Sequence, residues 1–184
     1  NVMCELSIAP LLNDIFDGKT LDRQQAKEVI GYLMDGKLSQ MQAAALLAAL
    51  RTRGETVEEI IGFAQAMRER SVKVHANITE PLLDIVGTGG TSINTFNIST
   101  ATLFVVAASG AKIAKHGNRG VTRKSGSADV LEALGVNLDQ SPEKLAQSIE
   151  EVGLAFMFAR AHHPAMKFVA PIRADIQART IFNS

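Results

Sequence analysis

From about residue 80 the apolar residues of this 184-residue chain stop recurring at helical spacing and fall into short blocks. The blocks are LLDIV, AKIAK, VNL and LAFMF, and each gap between them holds a helix-compatible stretch of ten or more residues. Short apolar runs alternating with helical crossovers specify parallel strands, because strands that run the same way need a long connection to return. The alternation predicts a four-stranded, mainly parallel α/β domain over residues 80–160.

Residues 1–74 read as helix alone. Ala26, Val29, Ile30, Leu33 and Met34 keep the spacing of one buried helical face, and Gly36 supplies the stop. Ser39 with Gln42 and Thr56 with Glu59 form two capping boxes, each opening a further helix, with Gly54 between them. The alanine-rich run QAAALLAAL lets helices approach closely, which suits packing within a bundle or a homodimer interface through the N-terminal helices. Ser141 followed by Pro142 opens the helix PEKLAQSIEEV, and Gly153 closes it. Residues 161–184 are helical in composition, and Pro171 is expected to kink or interrupt them; they are placed against the helical half or at the hinge.

Nineteen basic and nineteen acidic side chains cancel, so no global field draws the chain to nucleic acid or to an anionic membrane. An anion must be captured locally. One cysteine excludes an internal disulfide and a thiolate metal cluster, and fits a reducing cytoplasm. The apolar runs are too short to span a bilayer, and the N-terminus lacks the order of a signal peptide.

Local capture has a clear candidate in DIVGTGGTSINTFNIST, residues 84–100. Gly87, Gly89 and Gly90 let a ligand approach the main chain, and Asn97, Ile98, Ser99 and Thr100 open the following helix, where free N–H groups and the helix dipole favour phosphate. A tight strand-to-helix turn would use the same residues. The stretch is neither a Walker A loop nor a dinucleotide fingerprint. The next strand end carries KHGNRGVTRKSGSAD, which sets Lys115, His116, Arg119, Arg123 and Lys124 on one loop at the edge where parallel sheets bind ligands. These side chains suit a substrate with more than one phosphate, or a solvated basic loop. Ser125 and Ser127 are both N-cap candidates and phosphate donors. The adjacent His162 and His163 diverge on a helix and make a poor metal pair. Arg173 suits a carboxylate or the solvent. No catalytic nucleophile stands out.

GTGG with NTFNIST, KHGNR, KSGSADVLEALGVNL, HHPAMK, VAPIR and RTIFN together resemble the anthranilate phosphoribosyltransferases, in register along the whole chain. The pyrimidine nucleoside phosphorylases are a weaker match. The resemblance implies transfer of the phosphoribosyl group from phosphoribosyl pyrophosphate to the amine of anthranilate in tryptophan biosynthesis, with Mg²⁺, by a cytoplasmic homodimer. It implies that Gly87, Gly90, Thr91, Thr95, Asn97, Ile98, Ser99, Thr100, Lys115, His116, Gly117, Asn118, Arg119, Thr122, Arg123 and Ser127 meet phosphoribosyl pyrophosphate, with Ser99 also a Mg²⁺ ligand. Gly87, Asn118, His163, Met166 and Arg173 would face anthranilate, with His116 lining the same pocket. Thr91 and Ser92 stand where the family carries Asp and Gly, and Gly120, Thr122 and Arg123 where it carries small residues and serines. Family members continue well beyond RTIFN with an acidic Mg²⁺-binding pair, so the chain is expected to be an N-terminal half with weak or no activity alone. A phosphorolytic relative and a non-catalytic binding relative are the other readings.

Overall fold

The computed structural model describes residues 8–87, 96–120 and 125–183. Expectations that fall on Gly90, Thr91, Thr95, Thr122 and Arg123 lie outside the described residues. The chain divides into two compact units: residues up to Ser71 together with those from His163 on, and Val72–His162.

The first unit is helical: α1 (Ala9–Phe16), α2 (Arg23–Met34), α3 (Gln40–Arg53), α4 (Val57–Glu69) and, later in the chain, α9 (Ala170–Ile176). Each start follows from local chemistry. Asp22, Ser39 and Thr56 accept from the backbone N–H three residues on, and Gln25, Gln42 and Glu59 reach back to the cap N–H. Val29, Ile30, Leu46, Leu47, Leu50 and Ala66 fill the core at 1% exposure or less, joined by Val169 and Ile172 from the last segment. Gly62 permits the close pairing of α4 with α2, since a β-carbon there would lie 2.4 Å from the Arg23 carbonyl oxygen. Pro171 sits in the first turn of α9, where its missing N–H costs nothing. The interruption falls before it, where the 3-10 turn Pro164–Phe168 ends.

One buried carboxylate ties this unit together. Glu59 is fully buried and accepts from Arg53 Nη2 at 2.5 and 2.6 Å, Leu21 N at 2.8 Å and Thr56 N at 2.8 Å. Arg53 also donates to the Lys19 carbonyl. The α1–α2 link, the end of α3 and the start of α4 therefore converge on a single charge.

The second unit holds a three-stranded parallel sheet in the order β1 (Leu82–Leu83), β2 (Lys112–Gly117), β3 (Leu154–Phe158). Leu83 pairs with Ile113, and Ile113 through Gly117 pair with Leu154 through Phe158. Helix α5 (Ile98–Ala108) crosses from β1 to β2, and α6 (Ser127–Ala133) and α7 (Pro142–Glu151) connect β2 to β3; α8 (Ala159–His162) follows β3. Ser141 caps α7 and Gly153, at φ +85°, ends it. The expected fourth strand, VNL, is not one. Gly135 at φ +89° turns the chain out of α6, Val136 N–H returns to the Leu131 carbonyl at 2.9 Å, and Leu138 is buried with Leu131 and Phe156. Val136 and Leu138, between two helices, serve as a wedge. Among the described residues no helix is long and apolar enough to cross a membrane.

Burial alone pushes the Glu59 carboxyl up, but Arg53 and the Leu21 and Thr56 N–H groups outweigh it and hold it below the usual glutamate range. Its stabilisation is therefore complete above about pH 4.3 and is lost as pH falls through the lowered value. Glu59→Gln leaves Arg53 without its anion and is expected to cost about 3–5 kcal/mol. Urea unfolding across the acid range checks both: the loss should be smaller in the variant than in the parent, since Asp35 and Asp129 still contribute to it.

Candidate functional site

Parallel pairing brings the carboxyl ends of β1 and β2 side by side, and the predicted ligand residues of the second unit follow from those ends. Just past β1, Asp84 accepts from the His116 N–H at 3.1 Å. Lys115, buried on β2, donates from Nζ to the Ile85 carbonyl. Burial holds the Lys115 ammonium below the usual lysine range, with Asp84 opposing. These bonds hold Asp84 and Ile85 against β2. Gly87 is exposed, and a β-carbon built on it meets nothing within 4 Å.

Asn97 is the N-cap of α5 but makes no side-chain capping bond. Its carbonyl accepts from Thr100 and Ala101 N–H, and its side-chain oxygen accepts from Ser125 Oγ at 3.2 Å. Ile98 is exposed and Ser99 half-buried. Thr100 is 2% exposed, and its Oγ1 has no hydrogen-bond partner among the described residues. A buried hydroxyl without a partner costs free energy unless something else satisfies it, and this one sits in the first turn of an eleven-residue helix.

Helix α6 begins against the β2 loop. Neither Ser125 nor Ser127 caps it; the cap is Gly126. A β-carbon on Gly126 would meet the Asn118 carbonyl oxygen at 2.4 Å and the Gly120 nitrogen at 2.5 Å, so a side chain has no room there. Ser127 is half-buried, and a β-carbon on Gly117 would lie 2.2 Å from its Oγ. The exposed Asn118 gives its carbonyl to Ala128 N–H at 3.2 Å. Arg119 turns to carboxylates: its guanidinium donates to Glu132 at 2.6 and 2.8 Å and to Asp129 at 3.2 Å. Asp129 was not among the sequence candidates, although its place three residues after the cap is the signal for such a role.

His163, Met166 and Arg173 belong to the helical unit. His163 precedes the 3-10 turn and accepts at its carbonyl from Met166 N–H at 3.0 Å. Arg173 is half-buried on α9, and among the described residues no carboxylate pairs with it. Burial holds its guanidinium below the usual arginine range.

For Mg²⁺ the described donors are the hydroxyls of Ser99 and Thr100; no group of three His, Cys, Asp or Glu is placed to hold a metal among the described residues. Hard oxygen donors of this kind fit an ion carried mainly by substrate phosphates and water.

Two family models match in tandem: "Glycosyl transferase family, helical bundle domain" over residues 9–71 and "Glycosyl transferase family, a/b domain" over residues 79–184. The chain belongs to this glycosyl transferase family. It is 53% identical over 174 residues to an anthranilate phosphoribosyltransferase of Deinococcus radiodurans, covering 95% of this chain and 52% of that one. It is 61% identical over 151 residues to the Cupriavidus necator enzyme of the same name, covering 82% and 44%. The crystal structure of the Thermus thermophilus anthranilate phosphoribosyltransferase superposes with a TM-score of 0.84 at 49% identity, over 94% of this chain and 52% of that one. The Saccharomyces cerevisiae enzyme, in complex with phosphoribosyl pyrophosphate and Mg, gives a TM-score of 0.87 at 25% identity, over 100% and 55%. The chain thus spans about half the length of the relatives it matches.

Gly126→Ala forces a methyl into backbone atoms that have no rotamer to escape through. It is expected to destabilise the α/β unit by about 1–3 kcal/mol, the usual range for overpacking. Thermal unfolding measures this; a variant as stable as the parent would show that the α6 joint is looser than drawn.

Proposed function

We propose that the chain forms the phosphoribosyl pyrophosphate site of an anthranilate phosphoribosyltransferase and contributes to anthranilate binding. The observation that carries this reading is Thr100: a buried hydroxyl with no partner among the described residues, in the first turn of α5, the helix that follows β1 and the open Gly87. Relatives 53% and 61% identical to the chain carry that enzyme name.

In this reading the first-turn amides of α5, with Asn97, Ser99 and Thr100, accept the pyrophosphate, and Lys115 adds charge from β2. Gly90, Thr91, Thr95, Thr122 and Arg123 are assigned to the same substrate from the sequence resemblance alone. Ser99 would hold Mg²⁺, which when bound neutralises charge on the leaving pyrophosphate. Arg173, half-buried without an anion, receives the anthranilate carboxylate, with His163 and Met166 beside it. The amine nitrogen attacks ribose C1, the C1–O bond to pyrophosphate breaks and the amine loses a proton. Such a reaction is accelerated by holding and aligning the partners, so it needs no protein nucleophile.

We place the protein in the cytoplasm and propose that a second copy packs on the α1/α3 face. There Phe16, Ala45, Ala48 and Ala49 line a shallow groove of about 440 Å³, and Phe16 and, further along the same α3 stripe, Met41 are 57% and 82% exposed. Sedimentation should show a dimer that Ala48→Glu converts to monomer; a parent that is monomeric at micromolar concentration refutes this part.

Calorimetry with phosphoribosyl pyrophosphate and Mg²⁺ should show binding, and loss of anthranilate fluorescence should be slow or absent. Arg173→Ala should weaken anthranilate binding about 10- to 100-fold, the weight of a charge-assisted hydrogen bond. If neither substrate binds, or if nucleoside and phosphate are consumed instead, the assignment fails.

A further inference from the structure

Gly120 and Gly126 are joined through one carboxylate oxygen. Asp129 Oδ2 accepts from Gly120 N–H at 2.8 Å and from Gly126 N–H at 2.7 Å. Its other oxygen meets Arg119 Nη1 at 3.2 Å, and the same guanidinium forks onto Glu132 at 2.6 and 2.8 Å while lying over the Phe158 ring, 5.7 Å from its centre. Gly126 packs against the Asn118 and Gly120 backbone with no space for a side chain. Asn118, Ser125 and Ser127 are therefore set in place by a clasp built from α6, not by their own side-chain bonds alone.

We propose that Arg119, Asp129 and Glu132 are positioning residues: they close the base of the β2–α6 loop and so present Asn118, Ser125 and Ser127 to a polyphosphate, and Arg119 acts through this clasp without touching the ligand. This rests on the polyphosphate reading of the site. The arginine in KHGNR looks from sequence like one more phosphate cation. A guanidinium already forked onto one carboxylate and touching a second has its charge answered and three of its five N–H donors engaged. The Gly120 and Gly126 N–H groups, then Arg119, hold the Asp129 carboxyl below the usual aspartate range, so the clasp stays ionised at neutral pH.

The two roles for Arg119 predict opposite signs for one substitution. Glu132 is half-exposed, so Glu132→Gln is not expected to unfold the chain. If Arg119 works through the clasp, Glu132→Gln weakens binding of Mg²⁺-pyrophosphate several-fold in calorimetry, as Arg119→Ala does, and the double variant is no weaker than Arg119→Ala alone. If Arg119 touches the ligand, Glu132→Gln frees it, binding is unchanged or tighter, and the proposal is overturned. Amide exchange at Gly120 and Gly126 gives a reading that needs no ligand. It should rise in Arg119→Ala and Asp129→Ala while the amides of Leu46 and Leu47 keep their protection. Unchanged exchange at both glycines overturns the clasp. A parent that shows this exchange pattern but does not bind pyrophosphate leaves the clasp standing and sinks the polyphosphate reading instead.

Discussion

Parallel pairing along β2 is the constraint from which the candidate site descends. Because β1, β2 and β3 run the same way, their carboxyl ends share one edge, and every connection must cross back by a helix whose N-terminus returns to that edge. Helix α5 follows β1 and α6 follows β2, so the N-termini of both helices lie toward that edge without any residue having been selected for catalysis. With only two residues in β1, side chains supply what the ladder lacks. Asp84 reaches the His116 N–H and Lys115 reaches the Ile85 carbonyl, extending the β1–β2 contact past the end of β1.

What the sequence made legible was governed by short-range chemistry. Ser39, Thr56 and Ser141 cap the helices they open because an N-cap bond spans three residues and competes with little else. The errors came where tertiary contact decided. VNL has strand composition, yet Gly135 and the burial of Leu138 turn it into a wedge between helices. Two serines flank Gly126, yet the glycine is the cap because the Asn118 carbonyl occupies the space that a side chain would need. Pro171 breaks nothing, since α9 starts at the residue before it.

Charge shows the same division. Sequence can count cations in a loop but cannot see which are already answered. Arg119 is taken by Glu132 and Asp129, thirteen and ten residues further along. Arg53, from the end of α3, is taken by Glu59 on α4, where a buried ion pair joins three parts of the helical unit. Arg173 has no such carboxylate among the described residues, although burial opposes its charge. A half-buried guanidinium left in that condition is stabilised by any planar carboxylate that reaches it, which is the property a binding residue needs and a structural one does not.

A chain of zero formal net charge cannot gather a polyanion from a distance, so affinity must come from groups arranged before the ligand arrives. With Arg119 engaged by Glu132 and Asp129 and Lys115 buried against a carbonyl, the other described polar groups of the candidate site include the neutral hydroxyls of Ser99, Thr100, Ser125 and Ser127. Dipoles fixed by the fold need no reorganisation when charge moves onto a leaving group, whereas long flexible cations must be immobilised first. In the proposed polyphosphate site, the tight joints at Gly117, Gly126 and Asp129 would therefore matter to the chemistry as much as to the fold: neutral dipoles are only as strong as the precision with which they are held.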